Sequence, residues 1–113
     1  MSLFEKVLEE ELLKRERLRQ ETLFKTKKVL RKLREKVFFE KAYIFGSLVR
    51  PGEYSIQSDI DIAFEKLEPN KLFYTVAFLS SELGREVDVI ELEKAPSFFR
   101  KKVLKEGILW KPD

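Results

Sequence analysis

Apolar residues change their period along this chain, and each change marks an element. From Ser2 to about Lys36 there is no Gly or Pro, and charges of alternating sign separate the apolar positions. Phe4, Leu8 and Leu12, then Leu23, Leu30, Leu33 and Val37, fit the 3.6-residue period of an amphipathic helix. Between these stretches Lys14 to Glu21 is charged or polar except at Leu18. The pattern therefore allows one long helix or two pieces meeting near Thr22. Ser2 and Glu5 have capping-box spacing, which sets the start.

Beyond the helix the period shortens to two. Residues 38–45 are aromatic and β-favouring, with Ala42 to Phe45 as the usable strand. Residues 46–58 hold Gly46, Pro51, Gly52 and several serines and read as a loop, opening with a short helical turn at Ser47. A second strand is expected over residues 59–65. Pro69 suits the first turn of the next helix, whose stripe is Leu72, Phe73, Val76, Leu79 and Leu83 and whose end is Gly84. Glu86 to Leu92 alternates again. Pro96 opens a last helix with Phe98, Phe99 and Val103 on its faces, and residues 108–110 can add a short strand. The expected class is α/β (α+β): a small mixed sheet packed with helices. We divide it into an N-terminal helical extension, residues 1–22, and a compact unit, residues 23–113.

Composition narrows the chemistry. The chain has 113 residues, one domain's worth, and is 43% hydrophobic and 38% charged. It has no Cys, which removes disulfides, thiolate zinc sites and cysteine catalysis, and no His, the commonest general base. Any catalysis must then rest on carboxylates, hydroxyls, amines and a metal. No apolar run approaches the ~20 residues of a membrane span and no signal-peptide core is visible, so the expected compartment is the cytoplasm. Abundant Lys and Glu with few amides suit a thermophile.

Net charge is only +3, but its distribution is uneven. Residues 1–21 sum to −1 and residues 22–41 to +6. The basic segment, Lys25 to Lys36, is either a solvated helix face or a surface for phosphates or an acidic partner.

The candidate chemistry lies in the middle of the chain. Strand side chains alternate, so Asp59 and Asp61 point one way while Ile60 and Ile62 point the other. Asp88, between Val87 and Val89, has the same arrangement on a later strand. Should those strands be neighbours, three carboxylates meet beside Gly46 and Ser47, whose backbone N–H groups and hydroxyl suit a phosphate. Crowded carboxylates need a cation between them or a raised pKa. Hard oxygen ligands beside a phosphate cradle indicate Mg²⁺, and a two-metal site asks for this kind of cluster.

Phe45-Gly46-Ser47-Leu48-Val49-Arg50-Pro51-Gly52, continued by Ser58-Asp59-Ile60-Asp61-Ile62, resembles the Gly-Ser and Asp-x-Asp signature of the minimal nucleotidyltransferases (MNT) of the DNA polymerase β-like superfamily. The resemblance covers roughly residues 23–110. It implies a nucleotidyltransferase fold in which Asp59, Asp61 and Asp88 bind Mg²⁺, two ions in all, with Asp88 also helping to deprotonate an acceptor hydroxyl. It implies too that Gly46, Ser47 and Arg50 hold the triphosphate of ATP or another NTP. Many members read Gly-Ser-Arg-x-Arg-Gly. Here Leu48 replaces the first arginine and Pro51 the glycine, with Gly52 one place later. These departures bear on nucleotide affinity and base preference, not on the acids.

The resemblance also implies a partner. Minimal nucleotidyltransferases pair, as antitoxins, with all-helical HEPN toxins, and some silence the toxin by transferring AMP from ATP to one of its tyrosines. The first expectation is therefore an Mg²⁺-dependent transferase acting on a partner protein's hydroxyl. The alternatives are an inert MNT-like antitoxin that neutralises its HEPN partner by contact, and a nucleic-acid-binding protein using the basic segment. The helix from Leu3 to about Arg19 is the expected docking element. Packing on its own sheet, or pairing with a second copy as a homo-oligomer, is equally compatible with its pattern.

Overall fold

A computed structural model describes all 113 residues, Met1–Asp113. The first helix, α1, runs unbroken over Leu3–Arg34, 32 residues. At 1.5 Å per residue it is about 48 Å long, and it sets the longest dimension of a molecule measuring 55 × 30 × 25 Å. Ser2 starts it, its hydroxyl accepting from the Glu5 N–H at 3.1 Å. The charged middle stays helical because its side chains bond to one another one turn apart. Glu16 accepts from Arg19 at 2.7 and 2.9 Å and from Gln20 at 2.9 Å. Arg31, Lys32 and Arg34 fill the last turn, where cations suit the helix dipole.

Four strands follow: β1, Lys41–Phe45; β2, Ile60–Glu65; β3, Val87–Glu91; and β4, Ile108–Trp110. Two helices lie between them, α2, Leu72–Leu83, and α3, Ser97–Glu106. The sheet order is β3-β2-β1-β4. Strand β1 pairs antiparallel with β2 and β4, whereas β2 and β3, linked through α2, are parallel. The expected small mixed sheet with helices is the fold observed.

Alternation gives the sheet two unlike faces. Ala42, Ile44, Ile60, Ile62 and Phe64 form one, packed with Leu30 and Leu33 of α1 and Leu79 and Leu83 of α2 in a single buried cluster. Tyr43 and Ala63 belong to the other, where Val103 of α3 and Leu92 close a smaller cluster. This second face is only partly covered, and Asp61 and Asp88 lie on the uncovered part.

Two apolar expectations meet a different outcome. Phe73 is 89% exposed. Helix α2 sits on the sheet through Thr75, Leu79 and Leu83, a four-residue step that turns residue 73 to solvent. Phe4, Leu8 and Leu12 of α1 are exposed as well. The stripe that buries Leu23, Leu30 and Leu33 continues past the edge of the sheet with nothing beneath it.

Candidate active site

The site begins where β1 ends. After Phe45 the chain turns at Gly46, with φ +76°, into a short 3-10 turn, Gly46–Val49. Leu48 is fully buried and fastens the turn to the core. Arg19, only 7% exposed on α1, donates to the Leu48 carbonyl at 3.1 Å while Glu16 holds its guanidinium. The long helix thus braces the Gly-Ser turn from behind. Arg50 N–H donates to the Ser47 carbonyl at 3.1 Å, and the Arg50 side chain returns to the Gly46 carbonyl at 3.3 Å.

Asp61 is paired in register with Phe45 on one side and with Asp88 on the other. The two carboxyls therefore stand side by side on the same sheet face. A Cβ built on Gly46 would collide with Asp61 Oδ2, so glycine is needed both for the positive φ and for the carboxylate's approach. The Asp61 carboxyl is pushed up to about 6 from an ordinary 3.8. Burial is the main cause, followed by Asp88, whose charge and hydrogen bond favour the protonated form, and by Asp59. Arg50 pulls the other way.

Asp59 sits exposed just ahead of β2 and is positioned through its neighbours. Ile60 N–H donates to the Glu86 carbonyl at 3.1 Å, which extends the β2–β3 ladder to the Asp59 end. Arg85 donates to three carbonyls of the preceding loop, Ser55 at 3.1 Å, Ile56 at 2.5 Å and Ser58 at 2.7 Å. Its guanidinium also lies 5.2 Å from the ring centroid of buried Tyr54. This one side chain fixes the path by which the chain reaches Asp59.

Carboxylate oxygens of Asp59, Glu86 and Asp88 all lie within 4.8 Å of one another, in exposed positions. Asp61 is not in that triad, because its carboxylate is turned against Gly46, but it joins the cluster through Asp88. Beside the acids a cleft of about 560 Å³ opens between the sheet and α3, lined among others by Gly46, Arg50, Asp61, Asp88, Phe99 and Lys102.

Of the residues singled out from the sequence, Asp59, Asp61, Asp88, Gly46 and Arg50 thus converge on one place. Ser47 follows Gly46 in the turn, half-buried and off the cleft lining. Glu86 was not anticipated. Its signal was present, since Glu86-Val87-Asp88 repeats the acid-x-acid spacing of Asp59-Ile60-Asp61 at the start of the adjoining parallel strand. Lys102 carried no such signal, being one cation in the run Arg100-Lys101-Lys102.

Such a cluster can hold a divalent ion, and the cationic side chains beside it can receive an anionic chain. The donors are all hard oxygens, and neighbouring acids add to the burial that holds the Asp61 carboxyl up. Both features fit a divalent cation of the hard class.

Comparison with known proteins agrees with this geometry. A family model described as polymerase beta, nucleotidyltransferase matches residues 25–111. A solved toxin-antitoxin with AMP-PNP is similar over 77% of this chain and 74% of its own, at 26% identity and a TM-score of 0.65. A structure assigned as a minimal nucleotidyltransferase matches at 26% identity and a TM-score of 0.61, over 78% of this chain and 92% of its own. A protein from Sulfolobus solfataricus assigned as a nucleotidyltransferase matches at 28% identity and a TM-score of 0.50, over 82% and 83%. No curated protein matches the chain significantly.

Proposed function

Because this chain belongs to the polymerase beta nucleotidyltransferase family, the matched span taking in all four strands and the whole acidic cluster, we propose that it transfers AMP from ATP to a hydroxyl on a partner protein. The partner in this reading is a toxin of the HEPN type, and the chain is its antitoxin. The observation that carries the proposal is the convergence of Asp59, Asp61 and Asp88, with Glu86 beside them, next to the Gly46 turn. Likeness to a toxin-antitoxin with AMP-PNP supports both the nucleotide and the partner.

The chemistry follows from the residues. Arg50, on the lip of the cleft, and the backbone at Gly46 and Ser47 receive the β- and γ-phosphates, which directs the α-phosphorus toward the acids. Asp59, Asp61 and Asp88 would hold Mg²⁺, which when bound neutralises phosphate charge and supports the leaving group. The acceptor oxygen attacks the α-phosphorus, forming a new P–O bond. The bond to the β-phosphate breaks, and pyrophosphate leaves. Asp88, exposed at the open edge, takes the acceptor's proton. With positioning and electrostatics supplying most of the rate, histidine is not required.

In this reading the acceptor hydroxyl belongs to another polypeptide, as likeness to a toxin-antitoxin suggests. The test is transfer of label from α-labelled ATP, with Mg²⁺, to the partner co-purified with this chain. Label should appear on the partner and vanish with Asp59→Asn. Neutralisation of the partner that survives Asp59→Asn without any label would overturn transfer in favour of contact alone.

A further inference from the structure

The inward face of α3 carries a positive charge among the side chains that turn toward the sheet. Phe99, Lys102, Val103 and Glu106 fall within about 100° of the helix circumference, and all four line the cleft beside the acids. Val103, 2% exposed and packed with Tyr43 and Ala63, fixes the direction in which that arc points. Arg100, Lys101 and Lys105 lie on the rest of the circumference. Of the four cations on α3, Lys102 alone lines the cleft.

The charge of Lys102 is uncommitted. Asp61, Asp88 and Glu106 line the same cleft, yet Lys102 forms an ion pair with none of them, nor with any other carboxylate of the chain. Arg50 is the other cation on the lining, and it is already shared. It contacts Glu53 at 3.4 Å and the Gly46 carbonyl at 3.3 Å, and it draws the Asp61 carboxyl down against burial. The turn supplies no further positive side chain, because Leu48 is buried and Ser47 and Val49 are neutral. A polyphosphate lying against Gly46 therefore meets a partly engaged arginine on one wall and a free ammonium on the other.

We propose that Lys102 is the second phosphate ligand of the cleft, its ammonium binding the β- and γ-phosphates of the nucleotide from α3 while Arg50 binds them from the turn. Lysine serves phosphate as a compact point charge, without the forked geometry of arginine. Glu106, one turn further along α3, repels phosphate and keeps the anionic end of the ligand at the level of Lys102. Held from both walls, the terminal phosphates orient the α-phosphorus for displacement. The inference rests on the nucleotide binding proposed above, but not on the acceptor or on transfer itself.

Calorimetric titration with AMP-PNP and with AMP, both in Mg²⁺, tests it. Lys102→Met should weaken AMP-PNP at least ~10-fold, as loss of a charge-assisted contact does, and AMP less than about twofold, since AMP has no β- or γ-phosphate. Lys102→Arg should restore most of the AMP-PNP affinity. Lys101→Met, which removes the same charge from the outward side of α3, should change neither. Circular dichroism should be unchanged throughout, both lysines being exposed. A Lys102→Met protein with unaltered AMP-PNP affinity, an equal loss for AMP, or an equal effect of Lys101→Met would overturn the inference and leave nucleotide binding standing. Failure of the unsubstituted chain to bind AMP-PNP would overturn both. The expected Lys102→Met pattern in a chain that transfers no label would support the inference and refute transfer.

Discussion

Gly46 and Asp61 are in such close approach that the carboxylate Oδ2 of Asp61 occupies the space a Cβ on residue 46 would take. The Gly-Ser turn and the Asp-x-Asp strand are therefore a single device, in which the absence of one side chain makes room for another. Gly46→Ala is expected to cost about 1–3 kcal/mol through left-handed strain and displacement of the carboxylate. It should abolish nucleotidyl transfer even where the fold persists. Thermal unfolding beside a transfer assay checks both.

Asp61 works against the stability of the apo protein. Its carboxyl is raised from 3.8 to about 6, so the folded state holds a proton that the unfolded state has released across that window. Stability of the metal-free protein should thus fall as pH rises from about 4 to about 6, then level off as far as this group is concerned. Asp61→Asn should remove that fall and be the more stable protein at pH 7. The raw shift corresponds to ~3 kcal/mol, which solvent access to the side chain reduces to about 1 kcal/mol. Chemical denaturation at pH 4, 6 and 7.5 distinguishes this from a structural role, in which the asparagine variant would be the weaker one.

Divalent ions should reverse that penalty. Mg²⁺ in hundredfold excess over its dissociation constant is expected to stabilise the native protein by about 2–3 kcal/mol, and EDTA to remove the gain. The gain should shrink below pH 6, where protonation of Asp61 competes with the ion. Glu86→Gln tests the acid that the sequence did not single out. It should weaken Mg²⁺ binding roughly 10–100-fold with little change in the metal-free protein, read by calorimetric titration.

Arg85 lies outside the acidic cluster but governs Asp59 through the loop. Arg85→Ala leaves the carbonyls of Ile56 and Ser58 without their donor and Ser55 with only the Ser58 N–H, at a cost of about 1–3 kcal/mol. Because the loop leads directly into Asp59, kcat should fall while the KM for ATP changes little. Arg85→Lys, which retains a donor but not the fork, should recover only part of the loss.

Much of this was visible in the chain before its coordinates. The two-residue period placed Asp59, Asp61 and Asp88 on one side of their strands, and parallel pairing of β2 with β3 brought them together. Whether α1 was one helix or two was not readable, because Lys14 to Glu21 lacks the apolar signal that periodicity needs. The Glu16, Arg19 and Gln20 bonds that carry the helix through are side-chain events. Phe73 matched a helical stripe and yet faces solvent, since period alone does not say which edge of a wide stripe meets the sheet. Thr75, fully buried on α2, was hidden because its hydroxyl kept it out of the apolar pattern. Arg19 and Arg85, the two arginines that brace the Gly-Ser turn and the Asp59 loop, looked like ordinary surface charges.

The most direct measurement is anomalous diffraction from crystals of this chain soaked with Mn²⁺ and a non-hydrolysable ATP analogue. The expected result is Mn²⁺ bound by Asp59, Asp61 and Asp88, with the triphosphate against Gly46, Ser47 and Arg50. Metal held elsewhere, or a nucleotide bound away from those carboxylates, would contradict it.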